Sequence, residues 1–527
     1  GYLTAGLSVD GEDWRDTSTT EGILRNVLRG RDSARARGGR ESGNVVLLHD
    51  GGGDRSRTVA ILGRIIDSLR ARGDTLVLLS RLVNLPSTVA MPLVTGRSSL
   101  TRLVELLMFG AISGIEVGFY YLFFIAIVLA MARLLVVLAL AAIQRYRRRP
   151  EVVDYLPSVS VVIPAFREET VIVATVRSVL EQDYAGWLEV LVVDDGSPDD
   201  THGVAERAFA ARPRVQVLTK PNGGKASALN FGIARARGDI IVAIDADTLF
   251  DPDSVRHLIA PLSDPHVGAV AGNAKVGNRI NLVTRWQALE YITSQNLDRR
   301  AFALLDCIMV VPGAIGAWRR ALVQSVGGFS SDTLAEDQDL TLSIGRGGHR
   351  VAYADRAIAW TEAPDTLRGL AKQRFRWAFG TLQCAWKHRD LLFRRDAGTL
   401  GAVALPNVWI FQLMFSIIAP AADLVFAFSL LVVIDTFHEH NTTYALAALS
   451  HIVAWYGIFI AVDWGAATVA FLMEPNEDRR LTWLVFLQRF AYRQVMYWVV
   501  LRSMVAALRG RLVGWGKLER KATVGMR

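Results

Sequence analysis

Cysteine is nearly absent. Two residues in 527, Cys307 and Cys384, exclude a disulfide scaffold and a cysteine-rich metal centre. A strong excess of one charge is missing too. Lys and Arg number 59 against 51 Asp and Glu, a formal net charge of +8. The basic clusters flank apolar runs, a distribution that suits membrane orientation and argues against a nucleic-acid partner. No initiator methionine and no signal peptide precede Gly1, which opens what reads as a strand, so a longer natural N-terminus is expected. What the chain has in excess is apolar residues, 51% of the total, gathered in a few long runs. An integral membrane protein with a soluble part, of two or three domains, is expected.

The first apolar run covers residues 117–143 and is broken only by Arg133, which either snorkels to the interface, the default, or lines a polar path. The basic run Arg145-Tyr146-Arg147-Arg148-Arg149 follows at once. By the positive-inside rule this end is cytoplasmic and residues 1–100 lie outside. Apolar runs return across 404–508. Residues 408–434, with Pro420 and Asp423, and 444–472, with His451 and Asp463, read as spans. Residues 481–508 carry Arg489, Arg493 and Arg502, so a broken or re-entrant segment is expected, followed by a basic cytoplasmic tail at 509–527.

Between these runs, residues 153–395 alternate strand with helix. Strands are expected at 159–163, 189–193, 215–218 and 240–244, and helices at 169–182, 199–211 and 225–237. This order predicts an α/β fold with a doubly wound, mostly parallel sheet. The fourth strand closes on Asp245-Ala246-Asp247. Two carboxylates spaced i, i+2 at a strand end can hold one hard divalent cation that also takes phosphate oxygens. The other strands end in Pro164-Ala165-Phe166-Arg167-Glu168, in Asp194-Asp195-Gly196, and before Asn222-Gly223-Gly224-Lys225. Four segments thus deliver polar groups to the sheet edge where such folds bind nucleotides. Further on stand Ala335-Glu336-Asp337 and Gln373-Arg374-Phe375-Arg376-Trp377. Singly, an acidic pair at a helix start or a core tryptophan explains each piece as well.

Taken together and in order, these motifs resemble the processive, inverting family 2 glycosyltransferases of GT-A fold, which include cellulose, chitin, hyaluronan and poly-N-acetylglucosamine synthases. The resemblance runs from about residue 158 to Trp377. It departs only at Ala335, where Thr or Gly is common. It implies a UDP-sugar donor, a growing polysaccharide acceptor, a lipid bilayer, and room for accessory export or regulatory subunits. Pro164, Glu168 and Asp195 would hold the uridine. Asp245 would face the nucleotide and, with Asp247, bind Mg²⁺ or Mn²⁺. Lys225 and Arg376 would contact the diphosphate, Gln373 would position it, and Trp377 would stack on a sugar ring. Asp337, beside Glu336, would be the catalytic base. Residues 267–273 and 287–300 look most like poly-β-1,6-N-acetylglucosamine synthases, which favours UDP-N-acetylglucosamine. Another β-glycan stays open, as does a non-catalytic membrane scaffold.

Residues 1–92 form a separate soluble-like segment. Strands are expected at 2–9, 45–49 and 75–79, a helix at 54–72, and a loop over the Arg/Gly-rich 29–43. Asp10-Gly11-Glu12-Asp13-Trp14 and Leu47-Leu48-His49-Asp50-Gly51-Gly52-Gly53 resemble the last two motifs of the polysaccharide deacetylase fold. That family's Asp-Asp pair and His-x-x-x-His, which hold its metal, are absent from residues 1–92. A partial, inactive deacetylase-like segment is expected, or the C-terminal fragment of a bifunctional deacetylase and synthase.

Overall fold

The computed structural model describes residues 8–15, 18–38, 44–50, 55–82, 84–86, 89, 99–147, 155–438, 442–474, 476–510 and 522–524. The chain divides into two compact units, Gly1–Gly118 and Phe119–Arg527.

In the first unit, β1 (Val9–Asp10) and β2 (Val46–Leu47) pair in parallel. Most of the strand expected at 2–9 lies outside the described residues. Helices α1 (Thr20–Gly38) and α2 (Ser56–Ala71) share a small core of Ile23, Val27, Ala34, Ile61, Ile65 and Leu69. The loop expected from Arg29 is therefore helical through Gly38. Alternating Arg and Ala are strong helix formers, and Ala34 continues the buried stripe begun by Ile23 and Val27. The strand expected at 75–79 also fails. Leu76, Val77 and Leu78 are exposed and in no strand, and α3 (Leu79–Leu82) is a single helical turn.

The second unit is built on one eight-stranded mixed sheet: β3 (Val159–Ala165), β4 (Leu188–Asp194), β5 (Val215–Thr219), β6 (Ile240–Ala243), β7 (Thr248–Phe250), β8 (Val267–Val276), β9 (Gly316–Arg319) and β10 (Arg350–Thr361). Their order is β5-β4-β3-β6-β9-β8-β10-β7. The first four are mutually parallel. Strand β9 is antiparallel to both β6 and β8, and β7 is antiparallel to β10. The central strands are β-branched because both faces are covered. Val161 and Ile163 join the core on one face, and Val162 joins that on the other. Helices α4 (Ile172–Leu180) and α5 (Thr201–Phe209) cover the first face, and α6 (Lys225–Ile233) covers the second. This two-sided winding leaves the C-terminal ends of β3, β4 and β6 open at one edge. The expected strands and helices all form here, within a few residues of their expected bounds.

Helical segments complete the unit. A nearly continuous rod comprises α7 (Leu282–Glu290), a π-helical stretch Tyr291–Asn296 and α8 (Leu297–Leu304). Helices α9 (Glu336–Arg346) and α10 (Leu367–Lys387) carry the later motifs. Among the described residues, three stretches are long and apolar enough to cross a membrane: Tyr121–Tyr146, Leu400–His438 and Ala445–Leu472. The run expected at 481–508 is broken, into a 3-10 turn Arg479–Leu484, a helical turn Val485–Gln488 and a helix Tyr492–Leu508. Arg489 and Arg493 face Asp463, while Arg502 lies over the rings of Phe375 and Trp498. Arg493 lies 2.7 Å from Asp463, and Gln494 donates to Asp423 at 2.6 Å.

A buried charge cluster ties the end of Ala445–Leu472 to the sheet. Lys275 of β8 lies 3.2 Å from Glu474 and 3.2 Å from Glu477, while Arg300 of α8 bridges Glu474 at 2.8 Å and Asp355 of β10 at 2.6 Å. Every ion in it has an opposite partner, which is what allows charges to be buried at all.

Candidate active site

A cavity of about 1030 Å³ opens at the C-terminal edge of β3, β4 and β6. Pro164, Glu168, Asp195, Lys225, Asp245, Asp247, Glu336, Asp337, Gln373, Arg376 and Trp377 all line it. The structure thus brings together every site residue expected from the sequence, from six separate segments.

Local geometry explains each placement. Asp195 is buried and accepts from the backbone N–H of Gly224 at 2.7 Å and of Gly223 at 3.0 Å, with the Lys220 ammonium 2.7 Å away. It holds the glycine turn that starts α6. Gly224 needs its φ of +84°, a region that side-chain-bearing residues avoid. Lys225, the first residue of α6, lies 2.5 Å from Asp245 and 3.4 Å from Glu336. Asp245 and Asp247 sit in the turn joining β6 to β7, and Asp247 is only 4% exposed. Glu168 is held through its backbone N–H, which donates to Thr201 at 2.8 Å.

Asp337 stands in the first turn of α9. One carboxylate oxygen accepts the Gly313 N–H at 3.0 Å and the other the Gln338 N–H at 2.8 Å. Glu336 beside it is buried. Burial pushes the Glu336 carboxyl up to about 7, against the pull of Lys225 and with the help of Asp337. Burial also raises Asp337, while Lys225 and the two N–H donors pull the other way. Burial alone would lower Lys225, but Asp245, Glu336 and Asp337 outweigh it and hold the ammonium charged. Three carboxylates therefore surround one buried ammonium, and acids outnumber cations along the cavity lining.

That excess is the test of whether a divalent cation fits. Among the described residues, no group of three His, Cys, Asp or Glu side chains is placed to hold a metal. A hard cation held by one or two carboxylates plus substrate phosphates needs no such cage. Asp245 and Asp247, in a negative cavity of this size, fit that mode.

On α10, Gln373 is buried and its side-chain carbonyl accepts from Arg374 at 2.8 Å. This uses only the amide oxygen, so the expected positioning by Gln373 would fall to its amide N–H groups. Arg374 also lies 2.5 Å from Glu290 and 4.0 Å over the Trp377 ring. One face of Trp377 is therefore covered by a guanidinium, and the expected sugar stacking is confined to the other. Cys307 and Cys384 are buried, and burial pushes the Cys307 thiol up to about 12, so neither is a nucleophile.

Two residues escaped the sequence reading. Gly313 supplies the N–H that orients Asp337, and a Cβ there would stand 2.5 Å from the Lys225 ammonium. Gly380 lets α10 approach the segment before α9, since a Cβ would meet Ala335 at 2.7 Å. A single glycine in a loop or helix carries no signal of what it must avoid. Of the two expectations for Arg133, the polar path holds and the default does not. Arg133 does not snorkel: it bonds Asp298 at 2.8 Å and Asn407 at 2.7 Å and lines the cavity. The helix beyond it, through Val137 and Ala141, is packed into the protein core, so Arg133 meets protein where the sequence suggested lipid.

Comparison with known proteins settles the kind of site. Residues 157–380 match the model of the glycosyltransferase-like family 2. A probable glycosyltransferase of Bacillus subtilis (strain 168), YdaM, is 30% identical over 69% of this chain and 87% of its own length. The chain belongs to glycosyltransferase family 2. The poly-β-1,6-N-acetyl-D-glucosamine synthase of Staphylococcus aureus (strain COL) is 31% identical over 44% of this glycosyltransferase, which spans 57% of that relative. A solved mannosyltransferase from Pyrobaculum calidifontis, in complex with GDP-mannose and Mn²⁺, aligns over 74% of this chain and 99% of its own, at 21% identity and a TM-score of 0.47. The enzyme is a membrane-associated family 2 glycosyltransferase of GT-A-like fold.

Proposed function

We propose that this glycosyltransferase transfers N-acetylglucosamine from UDP-N-acetylglucosamine to the end of a growing β-linked glycan, processively and with inversion, and helps export the product. The observation that carries this reading is Asp337, fixed by two N–H donors in the same cavity as Asp245, Asp247 and Lys225.

In this reading Asp337 takes the proton from the acceptor hydroxyl as it attacks the anomeric carbon from the face opposite the diphosphate. Attack from that side inverts the configuration. Lys225 and Arg376 bind the diphosphate that leaves, and Asp195 keeps the Gly223-Gly224 turn open to it. Asp245 and Asp247 would hold Mg²⁺ or Mn²⁺, which when bound neutralises charge growing on the leaving phosphates. The membrane helices and the basic run after Tyr146 support a plasma-membrane protein with a cytoplasmic catalytic unit, where UDP-sugars are found.

Membranes containing the protein should form polymer from labelled UDP-N-acetylglucosamine with Mg²⁺ or Mn²⁺, and the product should yield to β-1,6-specific glycosidase. Polymer formed only from another UDP-sugar would replace the donor assignment, and no transfer from any would sink it.

We read the first unit as the C-terminal part of a deacetylase-like fold. Support comes from Asp13 and His49, which stand at the ends of the paired strands with His49 Nδ1 2.8 Å from Asp13. The metal-holding motifs are absent from residues 1–92, so this segment by itself is expected to release no acetate from N-acetylglucosamine oligomers above a His49→Ala control.

A further inference from the structure

The cavity has two chemically different ends. One is ionic and has been described. The other is lined by Gln295, Asn407 and Gln412, by the aromatic rings of Phe302 and Phe411, and by Arg133 with Asp298. Neutral hydrogen-bonding side chains set among aromatic rings match a sugar, which has hydroxyl edges and C–H faces. They do not match a diphosphate. The volume, about 1030 Å³, reaches the top of the range of about 300–1,000 Å³ that holds one small ligand. It therefore leaves room for a second one beside a nucleotide-sugar.

Arg133 is the one residue of this end that comes from the first membrane helix. Its Nε donates to Asn407 at 2.7 Å and its Nη2 to Asp298 at 2.8 Å, while Phe411 lies 5.4 Å from the guanidinium carbon. Its Nη1 has no hydrogen bond among the described residues. An arginine whose fork is gripped on two sides is pre-aimed, so little side-chain freedom is lost when it meets a ligand. Asp298 balances its charge, and a balanced arginine favours a neutral hydroxyl or amide oxygen over a phosphate. The next residue, Arg299, is close enough to feel both the Asp298 and the Asp337 carboxylates, so this end of the cavity lies near the base.

We propose that Arg133, held by Asp298 and Asn407, is a specificity-determining residue of the acceptor end of the cavity, donating to a hydroxyl or acetamido oxygen of the sugar next to the growing end and so setting which hydroxyl faces Asp337. The inference rests on the transfer reaction proposed above. The first membrane helix is then part of the acceptor site as well as an anchor.

The test uses the full chain in membranes, with UDP-N-acetylglucosamine as donor and a short β-linked N-acetylglucosamine oligomer as primer. Arg133→Gln should leave UDP binding and donor hydrolysis unchanged. Loss of one charged hydrogen bond should raise the primer KM about tenfold to hundredfold. Arg133→Lys, which keeps charge but loses the fork, should fall between. Asp298→Asn, with Arg133 unbalanced, should also raise primer KM while sparing UDP binding. An unchanged primer KM in Arg133→Gln overturns the proposal. So does a parallel loss of UDP binding in all three variants, which would make Arg133 a packing residue only. If the wild type itself transfers nothing from any UDP-sugar to any primer, the reaction is misassigned and this role falls with it.

Discussion

At the residue scale the site is governed by too many carboxylates around too few cations. Lys225 is shared by Asp245 and Glu336, and Asp337 stands beside them. Asp337→Asn should lower transfer by roughly 10²–10⁴-fold, the usual worth of a general base, with UDP binding retained by calorimetry. Asp247→Asn should instead abolish the response to Mg²⁺ or Mn²⁺ and weaken UDP binding, so the two variants separate base from metal ligand. The pH dependence has a definite sign. Burial raises both carboxyls of the acidic pair, Glu336 to about 7. A base works only when deprotonated, so kcat should fall as pH drops, along a limb above the ordinary aspartate range. Stability runs the other way. A raised folded-state pKa gives stability that is full below the unfolded value of 4.5 and is lost as pH rises through about 7. Between pH 6 and 8 the unliganded wild type should therefore lose melting temperature that Glu336→Gln keeps; equal losses in both would remove Glu336 as the cause.

At the scale of elements, α9 and α10 must meet closely for the base to point at the cavity. Gly380 permits it, and Asp339 reinforces it from α9 by accepting Lys387 and pairing with His388, each at 2.8 Å. Gly380→Ala would drive a methyl into the Ala335 backbone nitrogen at 2.8 Å. A displacement of the α9 start by a fraction of an ångström to 1 Å should cost about 10²-fold in kcat. UDP binding should fall less than kcat, because Asp195 is tied to the Gly223-Gly224 turn and not to α9 or α10. Full activity in this variant would show that α9 has slack there. The strands at this scale were legible because runs such as Val-Ser-Val-Val-Ile have one reading when both faces are buried. The 29–38 helix was not, because its arginines and glycines advertise solvent while Ala34 alone marks the buried face.

For the whole molecule, orientation in the membrane is the open prediction. Reporter fusions at Gly43 and Arg212 are expected to report opposite sides, with Arg212 cytoplasmic; the same side for both would deny the catalytic unit its cytoplasmic donor. The sequence by itself determined the alternation of strand and helix, the long apolar helices, and which acidic and basic motifs gather at the cavity. Those depend on local period, on run length, and on acids and glycines placed where strands end. Tertiary structure alone decided how the members are used. It turned Arg133 inward to Asp298 and Asn407, committed the Gln373 oxygen to Arg374, covered one face of Trp377, and made Gly313 the donor that aims Asp337. It also inserted β9 antiparallel between β6 and β8, mixing a sheet that reads as mostly parallel. The physical reason is common to all of these. Each depends on a partner far away in the chain, as Arg133 depends on an aspartate 165 residues on, and no local pattern records where the chain will return.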